Sequence, residues 1–281
     1  MAETPRSLVL NLFGDYLRYA GGEIKLGELT ELMVAFGMEP ATVRVSMSRL
    51  KKEGWFTTRR QGRETVYVLS RHMLELLVHG RPRIFRRKAE PWSGRWTMVI
   101  YQVPESDRAV REQLRKQLAW AGFGQLSPST WLAPHDLAKE ARDLASRHGS
   151  ARLDVLWCGS DDAEAARDLA ARCWDLESLR GDYTDFLAAY GHLDNEPGNR
   201  AKDGKLALVE RTRITDDFRR FPFRDPELPP ELQPPNWPGP AAFNLFSRVH
   251  GQLGPQARAF VEGVIGRPVP DVSDEQRVTL S

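Results

Sequence analysis

Apolar residues recur every three or four positions through the first fifty residues, and the phase of that pattern marks out three short helices. Leu8, Leu12, Tyr16 and Tyr19 share one face of a helix over 7–19. Leu29, Leu32, Met33 and Phe36 do the same over 26–36, with Gly37 placed where two crossing helices need a tight turn. Pro40 suits the first turn of a third helix, where its missing N–H would be unpaired anyway. Val43, Met47 and Leu50 then follow at i, i+4 and i+7, and Gly54 stands where a left-handed residue would end the helix. Beyond it the period changes. Segments 55–58 and 64–69 have the aromatic and β-branched content of strands, and Arg60-Gln-Gly-Arg63 supplies a glycine turn between them.

The face of the third helix opposite its apolar stripe carries Ala41, Thr42, Arg44, Val45, Ser48, Arg49 and Lys52. Any solvated helix carries charge, so this face alone would say little. Here it follows a helix and a glycine turn and precedes a hairpin bearing Arg59, Arg60 and Arg63, an order that predicts a winged helix-turn-helix.

After the basic segment 81–88 the pattern changes again. A strand over 95–103 stops at Pro104, a helix over 107–121 has Val110, Leu114 and Leu118 on one side, and Gly122-Phe-Gly124 makes a turn. A strand over 129–132, a helix over 135–147 and a strand over 153–158 follow. The order β-α-β-α-β fits a ferredoxin-like sandwich with one short strand unread. Gly122-Phe-Gly124 follows a helix and precedes a strand, the wrong order for a phosphate-binding loop. From 163 the pattern is helical to Tyr190, with Gly181 as the expected break, then a polar linker over 194–204 and a helix from Leu206. The proline-rich run 221–240 contains Phe221, Phe223, Leu228, Leu232 and Trp237 and reads as an ordered loop laid over helices. Two helices, 241–252 and 257–264, close the pattern, and the tail after Gly266 is expected to fray. The fold class is therefore α+β and multidomain: a winged helix-turn-helix over 1–88, a ferredoxin-like domain over 89–160 and a helical, proline-punctuated domain over 161–281.

Charge is segregated. The whole chain has 40 Lys and Arg against 38 Asp and Glu, a net charge of +2. Residues 1–88 hold 16 basic and 9 acidic side chains, a net +7, and the remainder 24 against 29, a net −5. A dedicated nucleic-acid module on a neutral-to-acidic body has this distribution. The apolar runs fall short of a bilayer span and the N-terminus has no signal-peptide pattern, so a cytoplasmic protein with no membrane contact is expected. Cys158 and Cys173 suit buried small residues better than a disulfide or zinc site, and no metal or cofactor is expected.

Several segments resemble the PaaX family of bacterial transcriptional repressors. They are SLVLNLFGDY at 7–16, VRVSMSRL at 43–50 with Glu53-Gly-Trp55, GRPRI at 80–84, WAGFG at 120–124, FRRFPFRDPELP at 218–229 and NWPG at 236–239. The resemblance spans nearly the whole chain. It implies a homodimer that binds operator DNA, with a central domain similar to the small nuclease of CRISPR adaptation. It also implies a catabolic operon and release by an aryl- or acyl-CoA thioester such as phenylacetyl-CoA, with no effector residue that can be mapped.

Thr42, Arg44, Val45, Ser48 and Arg49 are the residues expected to read base edges, because arginine pairs with guanine and small or methyl-bearing side chains sense thymine methyls. Lys52, Arg59, Arg60 and Arg63 are expected to hold phosphates and set register. Arg81, Arg83, Arg86, Arg87 and Lys88 suit CoA phosphates, DNA backbone or a bridge between domains equally well. Trp92, Trp96, Trp120, Trp131, Trp157, Trp174 and Trp237 offer aromatic surface to an acyl group, although most are expected in cores. The competing classes are an effector-independent DNA-binding protein and a nuclease built on the ferredoxin-like domain. The first strand of that domain ends Tyr101-Gln-Val-Pro104 with no carboxylate for a catalytic metal, Glu105 and Asp107 read as turn and helix-cap residues, and the histidines have no ligand spacing. No catalytic residue is assigned.

Overall fold

The computed structural model describes residues 4–87, 91–147, 151–195 and 203–271. It is a mixed structure of helices and two small antiparallel sheets. The chain divides into two compact units, one of Met1–Arg86, Phe186–Arg219 and Ala241–Ser281, the other of Arg87–Asp185 and Arg220–Pro240. Packing thus groups the chain differently from the three consecutive segments read off the sequence, because helices far apart in the chain bury their apolar faces against one another.

In the first unit, α1 (Pro5–Leu12) starts on Thr4, whose hydroxyl accepts the Ser7 N–H, and runs into a π-helical turn, Phe13–Leu17. Strand β1 (Glu23–Lys25) was not foreseen. It is followed by α2 (Leu26–Val34) and α3 (Pro40–Lys52), then by β2 (Phe56–Gln61) and β3 (Glu64–Leu69), in a sheet ordered β1-β3-β2. Leu8 and Leu12, Leu29, Leu32 and Met33, and Val43, Met47 and Leu50 are all buried, and Phe13, Phe56 and Tyr67 continue the core through ring contacts. Burying a side chain of this size contributes about 1.5–3 kcal/mol, which is what fixes the phase of α3. Gly37, Gly54 and Gly62 all have left-handed φ, 76°, 80° and 62°.

Residues 81–85 of the basic segment, read as the linker that ends the first domain, are instead the end of a helix. Ser70 caps α4 (Arg71–Phe85) by accepting the Met73 N–H, and Pro82 is tolerated within its last turn. Arg81 lies over the Phe85 ring and is ion-paired with Asp15, so these charges serve packing. Lys88 lies outside the described residues.

In the second unit, β4 (Trp96–Gln102), α5 (Arg108–Ala121), β5 (Gly124–Ser127), β6 (Thr130–Ala133), α6 (Ala138–Ser146) and β7 (Arg152–Cys158) build a sheet ordered β5-β6-β4-β7, antiparallel throughout. Strand β5 is the one missing from the sequence pattern: four residues with a bulge between Gln125 and Ser127 are too short and irregular to show alternation. Successive residues of β4 face opposite ways. Val99 and Tyr101 pack with Leu114, Leu118 and Ala141, and Trp96 packs with Ala166, Ala170, Leu228 and Leu232 on the other side. Asp107 precedes α5 but makes no capping bond to the backbone.

The break expected at Gly181 falls earlier. Helix α7 (Ala163–Cys173) ends at Trp174, whose backbone is extended, and Asp175 caps α8 (Leu176–Asn195) through the Ser178 N–H, leaving Gly181 inside that helix. The linker 196–202 lies outside the described residues. Asp203 caps α9 (Gly204–Phe218). The proline-rich run is ordered: Phe221, Leu228 and Leu232 are buried, and Asp225 accepts a 2.7 Å bond from Tyr183 and pairs with Arg87 at 3.6 Å. The two closing helices are one, α10 (Gly239–Ile265), which runs through Pro255 because Leu253, Ala257 and Val261 beside it are all buried. The start of the tail does not fray. Val269 is buried, and Arg267 donates to the carbonyls of Ala20 and Glu23.

Candidate nucleic-acid interface

The apolar stripe of α3 is sealed and its other side is open. Ala41, Thr42, Arg44, Val45, Ser48, Arg49 and Lys52 are all exposed, and Val45, a large apolar side chain, is 71% exposed. A valine left in water on a helix that buries Val43, Met47 and Leu50 suits a thymine-methyl contact. Arg49, Lys51 and Lys52 occupy the last turn, where the helix dipole favours cations. The Gly54 N–H bonds to Lys51 and the Trp55 N–H to Leu50, a turn that delivers the chain straight into β2.

Arg59, Arg60 and Arg63 are exposed on the hairpin, with Gln61 paired to Glu64 around the turn. Arg60 donates to the Arg63 carbonyl at 3.2 Å. Arg44 and Lys52 have no ionic partner among the described residues. Arg49 is paired with Glu53 at 2.9 Å and Arg59 with Glu23 at 2.6 Å, yet both guanidinium groups stay in solvent. Exposed pairs of this kind contribute only about 0–1 kcal/mol, so they do not close the surface to a duplex. Sequence reasoning missed Arg6, which reaches Glu53 from α1 and lies over the Trp55 ring at 4.2 Å. The Arg49–Glu53 spacing was legible; Arg6 and Glu23 come from elsewhere in the chain.

The same unit holds a buried ionic cluster that no motif announced. Asp15, in the π-helical turn, meets His250 Nε2 at 3.1 Å, Arg81 at 3.2 Å and Arg211 at 3.8 Å, and Arg211 also donates to Tyr16. Burial opposes the Asp15 charge, but Arg211, His250 and Arg81 outweigh it and hold the carboxyl well below its ordinary range. Burial, with Arg211 beside it, pushes His250 down to about 4 against the pull of Asp15. The hydrogen bonds agree with a neutral ring: Arg211 donates to Nδ1, so the proton is on Nε2, facing Asp15.

The remaining candidates separate. Arg81 and Arg87 are committed to the buried carboxylates of Asp15 and Asp225. Trp96 and Trp131 are buried, Trp92, Trp174 and Trp237 are half-buried, and Trp120 and Trp157 are exposed. Trp120 stacks on Phe223. A cleft of about 650 Å³ is lined by Glu164, Asp168, Asp175 and Glu177 with Arg167 and Trp174, and its excess of carboxylates opposes what CoA phosphates need. Both cysteines are half-buried and unpaired, where buried small residues were expected, and burial raises both thiols, Cys173 to about 11. Glu105 pairs with Arg111 at 2.7 Å. No group of three metal-ligating side chains occurs among the described residues, and no described helix is long and apolar enough to cross a membrane.

Three family models match successive parts of the chain: a PaaX-like protein over residues 4–73, a PaaX protein central Cas2-like domain over 89–170 and a PaaX-like protein C-terminal domain over 174–263. The chain is 32% identical over 269 residues to the transcriptional repressor PaaX of Escherichia coli, covering 91% of this chain and 82% of that protein. It also shares its fold with an uncharacterized protein of Mycobacterium tuberculosis of solved structure, with a TM-score of 0.63 and 24% identity over 93% of this chain and 98% of that one.

Proposed function

Because the chain belongs to the PaaX family, whose named relative is a transcriptional repressor, we propose that it is a DNA-binding repressor that reads its operator with the outer face of α3. It is a regulator and not an enzyme. The observation that carries this reading is the division of α3 into a sealed apolar stripe and an open face of Thr42, Arg44, Val45, Ser48, Arg49 and Lys52, next to a hairpin with three exposed arginines. Helices α2 and α3 with the β2–β3 hairpin are then a winged helix-turn-helix, and the second unit, with strands ordered β5-β6-β4-β7, is the ferredoxin-like domain. Base edges would meet Thr42, Arg44, Val45, Ser48 and Arg49, and phosphates Lys52, Arg59, Arg60 and Arg63.

One such module buries too little for tight operator binding, so the working form is a homodimer on two half-sites spaced by whole helical turns. The operator belongs to a catabolic operon, and an acyl-CoA thioester, phenylacetyl-CoA among the candidates, releases it by preferring the dimer arrangement that does not fit both half-sites. The test is selection of duplexes from a random pool, followed by anisotropy titration over a range of salt concentrations. The expected result is a common, two-fold symmetric sequence that is bound at least about a thousandfold more tightly than mixed-sequence DNA. Equal retention of every duplex would overturn the reading.

A further inference from the structure

Three arginines on or beside the proposed DNA face are already held by carboxylates. Glu53, the residue that follows α3, accepts from Arg6 through Oε2 at 2.8 Å and from Arg49 through Oε1 at 2.9 Å, so one carboxylate joins α1 to α3. Glu23 on β1 takes Arg59 with both oxygens, at 2.6 and 3.2 Å. The arginines remain in solvent: Arg49 is 78% exposed and Arg6 54%. A carboxylate presents two oxygens to a guanidinium in the same planar fork as the free oxygens of a phosphodiester. Only Glu23 forms that fork, on Arg59, while Glu53 gives one oxygen to each of its arginines, and every pair occupies the arginine with an anionic oxygen that DNA would otherwise supply.

We infer that Glu53 and Glu23 act as internal phosphate mimics that make the phosphate contacts of Arg6 and Arg59, and the groove contact of Arg49, conditional on close docking of α3 in the groove. This rests on the DNA-reading face described above. A duplex held loosely brings its phosphates near these arginines without matching the geometry of the existing pairs. The pairs then persist, and the arginines add nothing to counterion release. A well-seated duplex brings phosphates within bidentate reach, and the weak exposed pairs exchange for them. The carboxylates also preset the guanidinium orientations, so less side-chain freedom is left to lose on docking. Arg44, Lys52, Arg60 and Arg63, exposed and with no carboxylate partner among the described residues, carry the encounter.

Salt titration separates this from simple charge. In Glu53→Gln with Glu23→Gln, affinity for a mixed-sequence duplex of about 30 base pairs should rise at least about threefold. The slope of log affinity against log salt should steepen by about two to three units, close to one per freed arginine. On a duplex selected by the wild-type protein, affinity should rise but the slope should hold, because the arginines are already engaged with the DNA there. Glu53→Gln alone should give about two units and Glu23→Gln about one. With Arg6, Arg49 and Arg59 changed to alanine, the gain from the two glutamines should disappear. An unchanged slope on mixed-sequence DNA, or a full gain that survives in the arginine-free protein, would overturn the inference while leaving DNA reading intact. If the wild-type protein selects no duplex at all, both fall together.

Discussion

At the scale of single residues, position on α3 decides role. Arg44 projects from the middle of the open face and has no ionic partner among the described residues, so Arg44→Ala should cost about 1–3 kcal/mol on the selected operator and relax preference at one base pair. Arg60 sits on the hairpin, which the proposed reading sets beside the duplex instead of in its groove. Arg60→Ala should weaken binding to all sequences alike and flatten the salt slope by about one unit. Anisotropy on selected and mixed-sequence duplexes checks both, and identical losses for the two variants would remove the distinction. The alternation that separates Arg44 from Val43 was readable directly, because 3.6 residues per turn leaves little choice once one face must be apolar.

The glycines of 122–124 show the limit of that reading. Gly122 has φ 102° and ends α5, as a turn residue should. Gly124 is needed for a different reason: a Cβ there would lie 2.4 Å from the Trp174 ring and 2.7 Å from Cys173. Gly124→Ala should therefore destabilise by about 1–3 kcal/mol through overpacking, measured by urea denaturation. A wild-type midpoint would show that the ring can move aside. No local pattern could reveal this, since Trp174 is fifty residues away.

At the scale of elements, α1 is the case to consider. Ser7, Asn11 and Asp15 recur at i, i+4 and i+8 and look like a solvated stripe, yet all three are buried. Ser7 and Asn11 bond to Asp216 on α9, which also pairs with Arg219 at 2.8 Å, and Asp15 meets Arg211 and His250. Buried ionic contacts contribute little net stability, but removing one partner strands the other, and Asp15→Asn should cost about 3–5 kcal/mol. They also fix the register of α1 against α9 and α10, because a slip would leave charges unpaired.

The same cluster sets a pH response. His250 titrates at about 4 in the fold against 6.5 in a free chain, so between those values the unfolded chain binds the additional proton. Stability is complete above pH 6.5 and is lost as pH falls toward 4, by on the order of 3 kcal/mol in full. His250→Gln should remove most of that loss, read as a flatter dependence of Tm on pH. Parallel profiles for the two proteins would show that His250 is not the group responsible.

At the scale of the whole molecule, residues 1–88 carry a net +7 and the remainder a net −5, so the excess positive charge lies in the segment that holds α3 and the hairpin. The effector reading has its own check. Acyl-CoA thioesters that bind the folded protein should raise Tm, by the equivalent of about 2.7 kcal/mol at one hundred times Kd, and should release DNA at the same concentrations. A thioester series with no effect on either quantity would leave a repressor controlled by another class of ligand. The carboxylate-lined cleft near Trp174 is a poor candidate for the CoA phosphates, so protection of that cleft by a bound thioester would contradict the charge argument.

The chain's linear pattern was enough for α3, the hairpin and the central strand β4, since each of these declares itself through contacts made with its own period: a buried stripe, a glycine turn, an alternation. It also carried the family, because the matching segments are local runs. It could not supply α4, the four-residue β5 or the continuity of α10 through Pro255, where burial against distant segments outweighs local preference. Nor could it supply the ionic partners of Asp15, Arg6 and Arg59. Those depend on which residues from remote parts of the chain arrive at the same point, and a polar side chain reads the same in a sequence whether water or a buried guanidinium awaits it.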